Sequence, residues 1–217
     1  MKTTLILAGL LVPTLLTAWN LAELDTARDV PWLSDVEKDV ILEMNKVRSD
    51  PGRYAEDVLE PMRDDFQGTL YAPPGAPRIR TNEGVRALND AVRALKSSPP
   101  RPPLLPSRGL SRAARDHAED TGPAGALGHG GRDGSTMRSR IERYVDWDIF
   151  IGENISYGNA DAAGIVSQLL IDDGVPSRGH RKNILNEVFA YVGVAVAPHG
   201  RFGTMCVQDF AGDVREL

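Results

Sequence analysis

Four histidines, His117, His129, His180 and His199, are the side chains of this 217-residue chain best suited to proton transfer or metal ligation near neutral pH. Taken singly, each reads most simply as a surface or structural residue. Two of them sit in richer surroundings. His129 lies within Leu127-Gly128-His129-Gly130-Gly131-Arg132-Asp133-Gly134-Ser135, and His180 within Asp172-Asp173-Gly174-Val175-Pro176-Ser177-Arg178-Gly179-His180-Arg181-Lys182-Asn183-Ile184-Leu185. Between them, Gly152-Glu153-Asn154-Ile155 supplies a carboxylate beside a glycine. Glycines and turns let a backbone come close and aim a side chain into a concavity. His117 is expected to pack on its own helix, and His199 to sit exposed in a turn. Other chemistries lack their motifs. There is no H-E-x-x-H, no G-x-S-x-G, no dinucleotide fingerprint in the glycine-rich stretch 128–134, and no P-loop lysine in that stretch. Ser135, Ser156 and Ser177 lie close to these segments, but serine is common in turns and caps.

Positioning such groups requires a scaffold, and the periodicity supplies one. Ser34-Asp35-Val36-Glu37 has the form of a capping box, followed by Val36, Val40, Ile41, Met44 and Val47 at helical spacing until Asp50-Pro51-Gly52. A second helix is expected from Pro51 to about Leu59, ended by Pro61, and then a loop over 63–80. Residues 83–96 are helical, with Val85, Leu88, Val92 and Leu95 on one stripe. The proline-dense stretch near 97–106 is an extended surface crossing. Helices follow over 108–120 and after Gly134-Ser135. A strand runs from Asp148 to Tyr157, and Asn159 or Asp161 caps another helix. Tyr191–Ala197 and Phe202–Phe210 form a hairpin about Pro198-His199-Gly200-Arg201. Helices preceding a strand pair, without regular alternation, give an α+β fold with a small antiparallel sheet.

The three segments, in their order, resemble the His-containing, "GEN" and "GHR.NIL" segments of bacterial proteins of the CAP superfamily. That superfamily includes the cysteine-rich secretory proteins, antigen 5 and the pathogenesis-related proteins. Ala113-Ala114-Arg115-Asp116-His117-Ala118 is similar to the helix before the first segment. Val192-Gly193-Val194 through Cys206-Val207-Gln208-Asp209-Phe210-Ala211-Gly212 looks like the last two strands. The resemblance covers about 105–212, and more loosely 35–62. It implies an α-β-α sandwich with a mostly antiparallel sheet between helices. It also implies a cleft of two histidines and two acids: His129, Glu153, His180, and either Asp172 or Asp173. Two imidazoles and a carboxylate can hold zinc and leave one position open to water. The same groups can instead hydrogen-bond one another and brace three segments. Carboxylates beside the imidazoles would raise the histidine pKa values.

The remaining features set location and stability. Residues 1–18, MKTTLILAGLLVPTLLTA, have the layout of a secretory signal, with a lysine, an apolar run and a small residue at the cut. That run is short for a membrane span. A lead-in over 19–33 and a single domain over 34–217 follow. The formal charge of −5 does not favour nucleic acid, and the basic run Arg178–Lys182 reads as a solvated face. Cys206 is the one cysteine, so no internal disulfide forms, and a buried reduced thiol is expected. Asn154-Ile155-Ser156 is formally a glycosylation acceptor, expected to be unused within a strand. The expected protein is secreted or periplasmic, without a membrane span once mature. It is a non-enzymatic binding module for an extracellular ligand or protein. A metal-dependent hydrolase and a lipid or sterol binder are the alternatives.

Overall fold

The computed structural model describes residues 18–217, so all but the last residue of the expected signal segment lies outside the described residues. Among the described residues the first helix is α1 (Leu21–Leu24), followed by α2 (Asp35–Ser49) and α3 (Pro51–Tyr54). A π turn over Ala55–Leu59 and a 3-10 helix over Glu60–Asp65 precede three two-residue strands, β1 (Phe66–Gln67), β2 (Leu70–Tyr71) and β3 (Ile79–Arg80). Then come α4 (Val85–Ser97), β4 (Leu105–Pro106), α5 (Arg108–Thr121), α6 (Met137–Ile141) and β5 (Val145–Tyr157). The chain ends with α7 (Ala162–Ile171), α8 (Gly179–Leu185), β6 (Tyr191–His199) and β7 (Gly203–Glu216).

The main sheet has the order β4-β6-β7-β5, with β4 parallel to β6 and the other pairs antiparallel. One face of it packs against α5. Leu110 and Ala113 cluster with Ala211, while Ala114 and Ala118 cluster with Ala195 and Val207. Gly193 permits that approach, because a Cβ there would lie 2.1 Å from backbone atoms of Leu110 and Ser111. The other face buries Val192, Val194, Cys206 and Phe210 against α2 and α7, with Val40, Ile41 and Met44 from the first and Ile165, Val166 and Leu170 from the second. The result is an α+β fold, an α-β-α sandwich whose layers follow from the period-two alternation of β6 and β7.

The helix termini follow their local chemistry. The Glu37 carboxylate accepts from the Ser34 N–H at 2.7 Å, closing the capping box of α2. Asp161 accepts from the Gly164 N–H at 2.8 Å and caps α7. Cys206 is fully buried and free, and burial pushes its thiol up to about 12.

Several local expectations are corrected. Residues 19–33 are not loose: Ala27 and Leu33 join the core, and the Asn45 amide donates to the Leu24 carbonyl at 2.8 Å. Pro61 does not end the second helix, since it sits in the first turn of the 3-10 helix, where its missing N–H costs nothing. The expected loop over 63–80 contains the small antiparallel sheet β1-β2-β3, turned at Gly68 with φ +63°. The proline-rich stretch crosses from α4 to β4 with Leu104 wholly buried, so only part of it is surface.

Candidate functional site

The structure sorts the candidate residues into two histidine–carboxylate pairs. Glu153 stands on β5, opposite Asp209 of β7. Its side chain points to the α5–α6 side of the sheet, where His129 Nδ1–H donates to Oε1 at 2.8 Å and Arg140 of α6 donates to Oε2 at 2.7 Å. The same guanidinium donates to the His129 carbonyl at 3.1 Å, so Arg140 holds both members of the pair. The next residue along the strand, Asn154, points the other way, and its amide donates to the His180 carbonyl at 3.1 Å. On that side His180 Nδ1–H donates to Asp172 Oδ1 at 2.6 Å, and the His180 backbone N–H donates to Oδ2 at 3.0 Å.

Local geometry explains which of the two adjacent aspartates meets His180. Asp172 ends α7 in the left-handed region, φ 55° and ψ 43°, a conformation aspartate tolerates better than most residues. The reversal turns its carboxylate back toward the first turn of α8, whose backbone N–H groups favour an anion. Asp173 is carried elsewhere. Its carboxylate accepts from the backbone N–H groups of Asn82 and Glu83, at 2.6 and 2.7 Å, and tethers the segment before α4. The structure therefore brings His129 to Glu153 and His180 to Asp172, and brings Asp173 to neither histidine.

Burial is asymmetric within each pair. The Glu153 and Asp172 side chains are each 1% exposed, whereas His129 is 56% and His180 24% exposed. Burial works to raise the Glu153 pKa, but the His129 hydrogen bond and the Arg140 charge outweigh it and lower it. The hydrogen bond to Glu153 raises the His129 pKa against the effect of partial burial. The signs fix a pH dependence. A histidine pKa raised on folding adds stability that is fully present below the unfolded value near 6.5, and that disappears as pH rises through the folded value. The stability gap between the wild type and His129→Ala is therefore expected to be widest just below pH about 6.5 and to narrow above it. Thermal unfolding across pH 5.5–9 (roughly the range over which imidazole titrates) checks this.

Beneath His129 lies a polar layer that the sequence reading missed. Asp209 is wholly buried, and neither of its carboxylate oxygens has a hydrogen-bond donor among the described residues. Burial, and then the Glu153 carboxylate, push its carboxyl well above the usual carboxylate range. His117 is also fully buried. Its Nε2–H donates to the Gly128 carbonyl at 2.9 Å, and Nδ1 has no partner among the described residues. Burial lowers its pKa and keeps it neutral. The signal for Asp209 was its place inside a strand, between two residues that are both buried.

Three further expectations change. His199 is not exposed: it is 3% accessible, and its Nε2–H donates to the Ala126 carbonyl at 3.0 Å, tying the hairpin to the loop that carries His129. The run Arg178–Lys182 is not simply a solvated face. Arg178 pairs with Glu83 and Asp90, and Arg181, 5% exposed, donates to the Leu170 carbonyl at 2.6 Å. Asn154 is fully buried with its amide engaged, which closes the formal glycosylation acceptor to modification in the folded chain.

The donor set can be tested against zinc. A metal site needs three or more ligand side chains converging on one point. Among the described residues no group of three or more His, Cys, Asp or Glu is so arranged. Each imidazole donates Nδ1–H to its own carboxylate, which leaves its Nε2 lone pair unspent, and Arg140 occupies the second oxygen of Glu153. As placed, the donors do not form a three-ligand zinc centre.

Fold and site together define an α-β-α domain with two histidine–acid pairs flanking one strand. Residues 45–210 match the CAP family, described as the cysteine-rich secretory protein family, and the chain belongs to it. No curated protein is similar to the chain at a significant level. Among solved structures, the chain is similar to an extracellular protein containing an SCP domain from Bacillus anthracis, with 25% identity over 57% of this chain and a TM-score of 0.42. It spans 37% of that protein's length. It is also similar to an outer surface protein of Borrelia burgdorferi, at 19% identity, covering 50% of this chain and 76% of that one with a TM-score of 0.40. A cysteine-rich secretory protein of Staphylococcus aureus shares 15% identity over 66% of this chain and 44% of that one, with a TM-score of 0.40. No helix among the described residues is long and apolar enough to cross a membrane.

Proposed function

We propose that the protein is a secreted, non-enzymatic binding module in which the two histidine–acid pairs brace the exposed segments that meet an extracellular partner. One observation carries the reading. Each histidine is tied through Nδ1 to a carboxylate that is 1% exposed and already held by another group. For Glu153 that group is Arg140, and for Asp172 it is the backbone N–H at the start of α8. Each imidazole keeps a free Nε2 lone pair, but among the described residues no serine or cysteine hydrogen-bonds to either ring. Cys206 is buried in the opposite layer from Glu153.

The braces act on the surface. His129 anchors the loop 122–136, most of which is exposed, including Leu127 at 51%. His180 and Asp172 fix the turn between α7 and α8. Holding exposed loops in one conformation lowers the ordering cost of association. The test is thermal unfolding of the wild type, His129→Ala and His180→Ala, each with and without one equivalent of zinc chloride. Both substitutions are expected to lower the midpoint by a few degrees, on the order of 1 kcal/mol each, with zinc changing nothing. A zinc-dependent rise in the wild type that both substitutions abolish would overturn the bracing role in favour of a metal site.

A further inference from the structure

A surface cavity of about 640 Å³ lies at the other end of α5 from His117, away from both pairs. Its lining includes Trp32, Arg108, Arg112, Tyr144, Tyr191 and Glu216. The volume is that of an ordinary small-ligand site. The chemistry of its walls is uneven in a way that specifies a ligand. Glu216 is the one acidic side chain of its lining, and both carboxylate oxygens are already engaged, accepting from the Ser107 hydroxyl at 2.7 Å and the Gly109 N–H at 2.8 Å. Those contacts neutralise the start of α5 from within the chain. The two guanidiniums, by contrast, have no acidic partner among the described residues. Arg112 lies over the Tyr144 ring, 4.1 Å from its centroid, and Arg108 lies 5.9 Å from the centroid of Trp32.

We propose that this cavity binds a flat aromatic anion, an aryl carboxylate or sulfonate. The ring system would lie among Trp32, Tyr144 and Tyr191, where aromatic faces and edges stack. The acidic group would take the N–H donors that Arg108 and Arg112 leave unused, as charge-assisted and in part bidentate hydrogen bonds. The tyrosine that supports Arg112 is itself fixed, since Tyr144 Oη donates to Asp116 at 2.8 Å. A purely apolar ligand would strand both guanidiniums beside it, and an isolated inorganic anion would leave the rings bare. The walls therefore select for both properties in one molecule.

The experiment uses the full chain and two dyes that differ by one group. One is 8-anilinonaphthalene-1-sulfonate, and the other is N-phenyl-1-naphthylamine, which lacks the sulfonate. Fluorescence titration is expected to show saturable one-to-one binding of the sulfonate, with the uncharged dye at least about tenfold weaker. Arg108→Gln/Arg112→Gln should weaken sulfonate binding at least about tenfold and leave the uncharged dye unchanged. Trp32→Ala should weaken both dyes. Arg138→Gln, which removes a guanidinium 4.7 Å from the Trp147 centroid outside the cavity, should weaken neither. Circular dichroism on each variant separates loss of the site from loss of the fold. Equal affinity for the two dyes, or sulfonate binding that survives the double substitution in a folded protein, would overturn the proposal.

Discussion

Arg140→Met is expected to destabilise the protein by about 3–5 kcal/mol at neutral pH, the cost of leaving a buried charge without its partner. The Arg140 and Glu153 side chains are each 1% exposed, and they meet at 2.7 Å. Without the guanidinium, the desolvation of Glu153 is opposed chiefly by His129, whose ring is more than half exposed, with a smaller contribution from His117. The carboxyl pKa then rises. The deficit should therefore shrink as pH falls through that raised value, because protonated Glu153 carries no charge to strand. Adding Glu153→Gln should return a large part of the lost stability, which makes a double-mutant cycle the informative format. Urea unfolding of the four proteins at pH 5 and pH 7.5 (roughly 1 and 3 units above the usual glutamate value) provides the numbers. A loss below about 1 kcal/mol for Arg140→Met, the size of an exposed ion pair, would show that Glu153 is not held as described.

Arg48→Met is expected to have an effect of similar size through a different route. Arg48, 1% exposed on α2, has no carboxylate partner. Its guanidinium donates to the carbonyls of Pro102, Ile184, Asn186 and Phe189 at 2.8, 2.9, 2.8 and 2.9 Å. Burial, with a smaller contribution from Arg101, lowers its pKa to about 10, so it remains charged at neutral pH. One side chain thus ties the proline-rich crossing to the connection between α8 and β6. Methionine fills much of the volume and leaves four carbonyls without a donor, at about 1 kcal/mol each, for a total near 4 kcal/mol. Hydrogen exchange should show the faster opening around Leu104 and Phe189 before it appears in α5. Uniform protection across the chain in the variant would contradict this role.

The two arginines also show where sequence reading stops. The helices α2, α4, α5 and α7, the strand carrying Glu153 and the final hairpin were legible, because apolar spacing and caps are local signals. The family resemblance implied the layer order, and the structure shows its basis, since Val192, Val194, Cys206 and Phe210 alternate with residues that face α5. The family's segments pointed to His129, Glu153, His180 and the Asp172–Asp173 pair. What could not be read was partnership. Asp172 and Asp173 are adjacent and chemically identical, and a left-handed turn at the first sends them to different neighbours. Arg48 and Arg140 look like ordinary helix-surface cations until the chain folds over them. His199 reads as a turn residue, yet the loop that buries it lies 73 residues away in sequence. The Asp209 carboxyl is pushed up because the fold buries it and the antiparallel register sets it across from Glu153.

In the proposed bracing role, His129 and His180 each serve a separate carboxylate and share no ion. Nitrogen-15 NMR of the imidazole side chains, followed through a pH titration with and without one equivalent of zinc chloride, tests it most directly. In the neutral form both rings are predicted to carry their proton on Nδ1. The His129 midpoint should lie above about 6.5 and be lowered by Glu153→Gln, and neither ring should respond to zinc. Simultaneous loss or shift of both Nε2 resonances on adding zinc would show that the two histidines close on one metal, and would contradict the account.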